Sequence, residues 1–106
     1  MEPPLGLSPL TNSRRSERTA RRFPVTLLAK SRGLEYTQPA STLDVSAHGF
    51  RVRTDEPMNP SRPIEPGQVV YLYGVENARL GYCRVVWVRT QKPEFPSEAG
   101  LELLGI

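Results

Sequence analysis

The chain has 106 residues, the length of a single domain of the usual ~100–150. Leu, Val, Phe and Ile make up about a quarter of it, above the ~20% below which a chain stays unfolded, so a small core is expected. The net charge is +3, with one cysteine and one histidine, which excludes an internal disulfide, a thiolate metal cluster and a His-pair metal site. The longest apolar run, Val85–Val88, falls far short of the ~18 residues of a membrane span. No basic stretch followed by an apolar region opens the chain, so no secretory signal is read. The expectation is a soluble, cytoplasmic protein with no membrane span, no metal and no cofactor.

Eleven prolines and eight glycines break the chain too often for long helices. Of the two longer uninterrupted windows, Leu10–Phe23 lacks an apolar stripe at helical spacing. The other, Tyr82–Lys92, is rich in β-branched and aromatic residues that suit a pleated surface. In chain order, residues 1–13 (MEPPLGLSPLTNS) read as a disordered leader. A flexible tail follows, with Arg14, Arg15, Arg18, Arg21 and Arg22 inside nine residues. Phe23–Ser31 alternates and predicts a first strand, with Pro24 at its start or on an edge. Arg32-Gly33 is a turn. Leu34–Asp44 is a polar second strand bent at Gln38-Pro39. Ala47-His48-Gly49 is a tight turn in which Gly49 would take a positive φ.

Phe50–Thr54 alternates next, with Phe50, Val52 and Thr54 on one face and Arg51 and Arg53 on the other. Asp55–Gly67 is a proline-punctuated loop. Gln68–Tyr73 and Leu80–Thr90 are strands joined by a turn near Gly74–Ala78, and Ala99–Leu104 is the last strand after a loop at Pro93–Ser97. Cys83, Val85 and Trp87 share a face and read as core, Cys83 as a small buried hydrophobe. About six short strands at hairpin spacing predict an all-β fold, a small antiparallel barrel or closed sandwich.

Enzyme chemistry finds little support. Asp44, Ser46 and His48 supply the residue types of a hydrolase triad, but lie too close along one strand and turn to converge. No nucleophile elbow, Walker loop or Rossmann glycine pattern is present. Arginine is more informative. It accounts for twelve of the fourteen cations, and residues 1–53 carry +5 against −2 for the remainder. Guanidinium is a planar fork suited to phosphate and to stacking on bases. A small anionic partner is expected.

Two motifs give that partner a form. Arg18-Thr19-Ala20-Arg21-Arg22 is an R-x-x-x-R element directly before Phe23-Pro24-Val25. About twenty residues later, Asp44-Val45-Ser46-Ala47-His48-Gly49 is a D-x-S-x-x-G turn leading into Phe50-Arg51-Val52-Arg53. In this pairing the chain resembles the PilZ domain family, whose members bind the bacterial second messenger cyclic di-GMP. Arg84–Arg89 (RVVWVR) and Ala99–Leu104 (AGLELL) look like later strands of the same family, so the resemblance spans roughly residues 14–104. Arg14 and Arg18 satisfy the first spacing too, but the following Phe23-Pro24-Val25 favours Arg18 and Arg22.

The resemblance implies a six-stranded antiparallel split barrel over residues 14–106. It also implies a cyclic di-GMP site in which Arg18 and Arg22 hold phosphate and guanine, while Asp44, Ser46 and Gly49 hold a guanine. Arg21, Arg51, Arg53 and Trp87 are secondary candidates. The residue chemistry agrees: guanine N1–H and N2–H₂ need acceptors, which Asp44 and Ser46 supply, while its O6/N7 edge pairs with guanidinium. The implied function is a receptor or adaptor, not an enzyme, whose arginine tail orders over the ligand and signals to a downstream protein. Two alternatives stay open. One is a PilZ-like interaction module without nucleotide binding. The other is a general nucleic-acid-binding barrel, disfavoured because the basic half offers few aromatics for stacking.

Overall fold

Alternation along the sequence becomes the wall of a barrel. The computed structural model describes residues 18–105. The strands are β1 (Pro24–Ser31), β2 (Leu34–Ser46), β3 (Gly49–Thr54), β4 (Val69–Tyr73), β5 (Arg79–Arg89) and β6 (Glu98–Gly105). Each lies within a residue or two of its predicted bounds. A single 3-10 turn, Val75–Asn77, links β4 to β5. All neighbours are antiparallel, in the order β1-β2-β3-β6-β5-β4. β1 pairs back onto β4 through Thr26–Tyr73, Leu27–Leu72 and Leu28–Tyr71, which closes the barrel. Closure leaves no free sheet edge among the described strands, the usual hazard of a small β protein. Among the described residues no helix is long and apolar enough to cross a membrane.

The interior is filled by every second residue. Val25, Leu27 and Ala29 of β1 are buried against Val52, Val70, Leu72, Cys83, Val85, Ala99 and Leu101. Removing a side chain of this size from water contributes about 1.5–3 kcal/mol each. Cys83 is fully buried, as expected, and burial pushes its thiol up to about 11. The proline-rich segment after β3 does more than connect. It seats Ile64 in the core, and its Pro63 carbonyl accepts a 2.6 Å hydrogen bond from the buried Tyr36 hydroxyl.

Of the register shifts in the sheet, two bear on the outer wall described below. The predicted bend at Gln38-Pro39 does not occur: β2 pairs with β1 in unbroken register through both residues. Pro39 is tolerated because its carbonyl points away from β1, accepting from Asp55 N–H at 3.0 Å. The missing Pro39 N–H therefore also faces away from β1, where β3 has ended. The irregularity lies instead at Leu43, where Thr42 pairs with Val52 but Asp44 pairs with Arg51. The second bulge is at Val86 in β5, between the Val85–Leu101 and Trp87–Gly100 pairs. An extra residue switches every following side chain to the other face. Trp87 is thereby turned out of the core, contrary to the expectation from Cys83 and Val85, and is 36% exposed.

The hairpin turns follow backbone sterics. Arg32 (φ 53°) and Gly33 (φ 76°) form a two-residue left-handed turn between β1 and β2, which matches the twist of the paired strands. Glu76 (φ 56°) and Asn77 (φ 61°) repeat it between β4 and β5. Asn tolerates this region, whereas Glu there incurs the usual Cβ clash. Substituting Glu76→Asn should therefore stabilise the barrel by roughly 0.5–1 kcal/mol. Thermal unfolding followed by circular dichroism should show a midpoint a few degrees higher; an unchanged or lower midpoint would contradict the strain.

Candidate ligand-binding site

The Leu43 bulge decides where Asp44 points. Strict alternation would place Asp44 on the same face as Thr42, which is fully buried opposite Val52. The extra residue turns Asp44 onto the outer wall beside Arg51. Ser46, two residues on, points the same way, since both side chains meet Arg18. Arg18 Nε donates to Asp44 Oδ1 at 2.6 Å, and Arg18 Nη1 donates to Ser46 Oγ at 3.2 Å. Arg51 Nε donates to the other carboxylate oxygen, Oδ2, at 2.7 Å. Ser46 Oγ also accepts the His48 backbone N–H at 3.2 Å, so the same hydroxyl that faces Arg18 shapes the turn.

The arm reaches this corner because its backbone is tied to β2. Thr19 and Val45 exchange N–H to carbonyl bonds of 2.8 and 2.9 Å. Thr42 Oγ1 donates to the Arg21 carbonyl at 2.5 Å and accepts the Phe23 N–H at 3.0 Å. From Arg18 onward the arm is thus laid along the barrel. The predicted leader at 1–13, together with Arg14 and Arg15, lies outside the described residues.

Gly49 has a role different from the one predicted. It is the first residue of β3 and not among the glycines with positive φ. A Cβ at this position would stand 1.9 Å from the Leu101 carbonyl oxygen, so glycine is required for β3 to lie against β6. Gly49 nevertheless lines the groove beside the corner. That groove, of about 660 Å³, is bounded by Arg18, His48, Gly49, Arg51, Trp87 and Gly100. Gly100 was not singled out from the sequence, and its importance follows from cross-strand pairing. A Cβ there would come within 2.2 Å of Trp87 Nε1, so the indole lies directly over the Gly100 backbone. The Arg89 guanidinium sits 5.7 Å from the ring centroid, within cation–π range.

Glu98, also unremarked in the sequence, gathers three arginines. It accepts from Arg89 at 2.7 Å and from Arg53 at 3.1 Å, with Arg51 at 3.8 Å. Arg18, Arg51, Arg53 and Arg89 thus share two carboxylates, Asp44 and Glu98, leaving the outer wall cationic. Arg21 and Arg22 have exposed side chains that make no ion pair among the described residues, so the structure brings Arg18 but not Arg22 to the corner. No cluster of three or more His, Cys, Asp or Glu placed to hold a metal occurs among the described residues.

Ionisation reflects these contacts. Partial burial disfavours the Asp44 carboxylate, but hydrogen bonds from Arg18 and Arg51 outweigh it and hold the group below its ordinary 3.8. For Glu98 the Arg53 hydrogen bond leads, burial opposes it and Arg89 adds to it, holding the group below 4.5.

A closed antiparallel barrel with an arginine arm over an acidic corner and an open groove defines a class, the small all-β barrel domain. The family comparison makes it specific: the PilZ domain model matches residues 12–106, and the chain belongs to the PilZ domain family. No curated protein matches the sequence.

Two outcomes follow. Gly100→Ala should displace the indole and shift the emission of this single tryptophan, with the far-ultraviolet β spectrum retained; unchanged emission would contradict the packing. Because both carboxyls are lowered in the folded state, the unfolded state binds more protons as pH falls. Their contribution is present above about pH 4.5 and is lost as pH drops through the folded values. Glu98→Gln should therefore lose less thermal stability than the parent between about pH 6 and about pH 3; equal losses would contradict the ion pairs.

Proposed function

We propose that this chain is a cyclic di-GMP receptor that binds its ligand without chemistry and passes the signal to a partner protein. One observation carries the reading: Arg18, Asp44 and Ser46 converge from an arm and a hairpin far apart in sequence, at the mouth of a groove floored by Trp87. Cyclic di-GMP presents anionic phosphates and guanine edges with both donors and acceptors. Asp44 and Ser46 accept from guanine N1–H and N2–H₂, while Arg51 is placed for O6 and N7. Arg18 and Arg22 contact phosphate, and Arg21 and Arg53 add positive potential around it. Trp87 offers an indole face for a purine, a contact worth about 1–3 kcal/mol where measured for bases on aromatics. Gly49 keeps the wall of the groove close to the β6 backbone.

The described residues present no nucleophile and base held by a third group, and the proposed activity is recognition. No cofactor is required by this reading. Its output is a change in the course of the arm, which alters the surface offered to the downstream protein. Membership of the PilZ family supports the ligand class, and the cationic wall supports its charge.

Calorimetric titration with cyclic di-GMP, using linear pGpG as control, tests the proposal. The parent chain should bind the cyclic dinucleotide in preference to the linear one. Arg18→Ala/Arg22→Ala should keep the fold and lose affinity by about tenfold or more, the equivalent of one charge-assisted hydrogen bond. Equal affinity in that variant would remove the arginines from the site. Equal binding of pGpG with a steep loss in salt would favour a general nucleic-acid binder. No heat with any nucleotide would favour an interaction module.

A further inference from the structure

Every side-chain acceptor atom at the corner carries a donor from this chain. Asp44 Oδ1 receives Arg18 Nε at 2.6 Å and Oδ2 receives Arg51 Nε at 2.7 Å. Ser46 Oγ receives Arg18 Nη1 and the His48 N–H, both at 3.2 Å. These are the atoms a guanine donor edge must reach. With Nε and Nη1 on these atoms, Arg18 stands in the place that a guanine donor edge would take. Of the two arginines on Asp44, Arg18 is the one carried on a removable element. Arg51 belongs to β3 inside the closed barrel, whereas the arm beside Arg18 is fastened by the Thr19–Val45 exchange of 2.8 and 2.9 Å.

We infer that Arg18 is a built-in plug that mimics a guanine donor edge, and that it makes the site demand both an anion and a guanine in one ligand. This inference rests on the cyclic di-GMP reading above. Guanosine alone would replace a charged donor on Asp44 by neutral ones and leave Arg18 without an anion. Phosphate alone would draw Arg18 away and leave the Asp44 carboxylate, whose side chain is only 13% exposed, short of a partner. Removing one partner of such a pair costs more than the pair itself contributes. A guanine joined to a phosphodiester completes the exchange in one event: Asp44 and Ser46 pass to the base, and Arg18 passes to the phosphate. Arg18 thereby determines specificity as well as affinity, and the Thr19–Val45 bridge sets how readily the plug leaves.

The test uses the full chain and Thr19→Pro, which deletes the N–H given to Val45 while leaving Arg18, Asp44 and Ser46 in place. In the absence of ligand, deuterium exchange at the Val45 amide should quicken by about tenfold, as expected for loss of one or two backbone hydrogen bonds. The association rate of cyclic di-GMP should rise by a similar factor. Relative to the parent chain alone, the Arg18 Nε–H nuclear resonance should move on Asp44→Asn and on addition of cyclic di-GMP to the parent. It should stay in place with guanosine alone or inorganic phosphate alone. An Arg18 resonance indifferent to Asp44→Asn would overturn the plug without reference to any ligand. Equal association rates despite a released Val45 amide, or displacement of Arg18 by either fragment alone, would overturn the gate. If neither protein binds cyclic di-GMP, the nucleotide reading and its gate both fail, while the ligand-free resonance and exchange still report the plug.

Discussion

The site rests on one carboxylate held between two guanidiniums. Asp44 stands on the outer wall of the barrel, largely covered, with Arg18 on one oxygen and Arg51 on the other. An ionised group so placed is unfavourable unless both oxygens are satisfied. That requirement brings the arm to the barrel and aligns Ser46 beside it. It also ties the hairpin between β2 and β3 to the groove.

Rigidity around this carboxylate comes from closure. β1 pairs with both β2 and β4, and β6 sits between β3 and β5, so no strand carrying a site residue is free to slide. Two close approaches refine the wall. Gly49 lets β3 lie against the Leu101 carbonyl, and Gly100 lets the Trp87 ring rest on the β6 backbone. Binding surfaces built on such a frame keep their geometry without help from ligand. The arm differs in kind, because it holds to the frame by a short bridge at Thr19 and by the Thr42 hydroxyl. The barrel is thus a closed scaffold that carries one strap held by few contacts.

Electrostatics divides the outer wall into two linked groups, Arg18–Asp44–Arg51 and Arg53–Glu98–Arg89, with Arg51 reaching toward Glu98. With four guanidiniums to two carboxylates in these groups, each of the four is oriented but the charge is not cancelled. Exposed pairs of this sort contribute little to stability. Their value is positional: they hold planar donors ready on a surface that still attracts an anion.

Much of this was legible in the residues themselves. Alternation at Phe23–Ser31 and Phe50–Thr54, with Gly and Pro at the turns, specified an all-β chain, because side-chain period and turn sterics are local properties. The two motifs at Arg18–Arg22 and Asp44–Gly49 marked Arg18, Asp44 and Ser46, which the fold brings into contact. The faces of Asp44 and Trp87 were not legible. Each lies just beyond a bulge, and a bulge arises from how two strands register against each other, not from either strand alone. The close approaches at Gly49 and Gly100 and the gathering of arginines on Glu98 likewise exist only across strand pairs that closure creates. Local sterics therefore determined the elements and the kinds of group available, while the tertiary structure decided which of those groups meet, because register is a property of the assembled sheet.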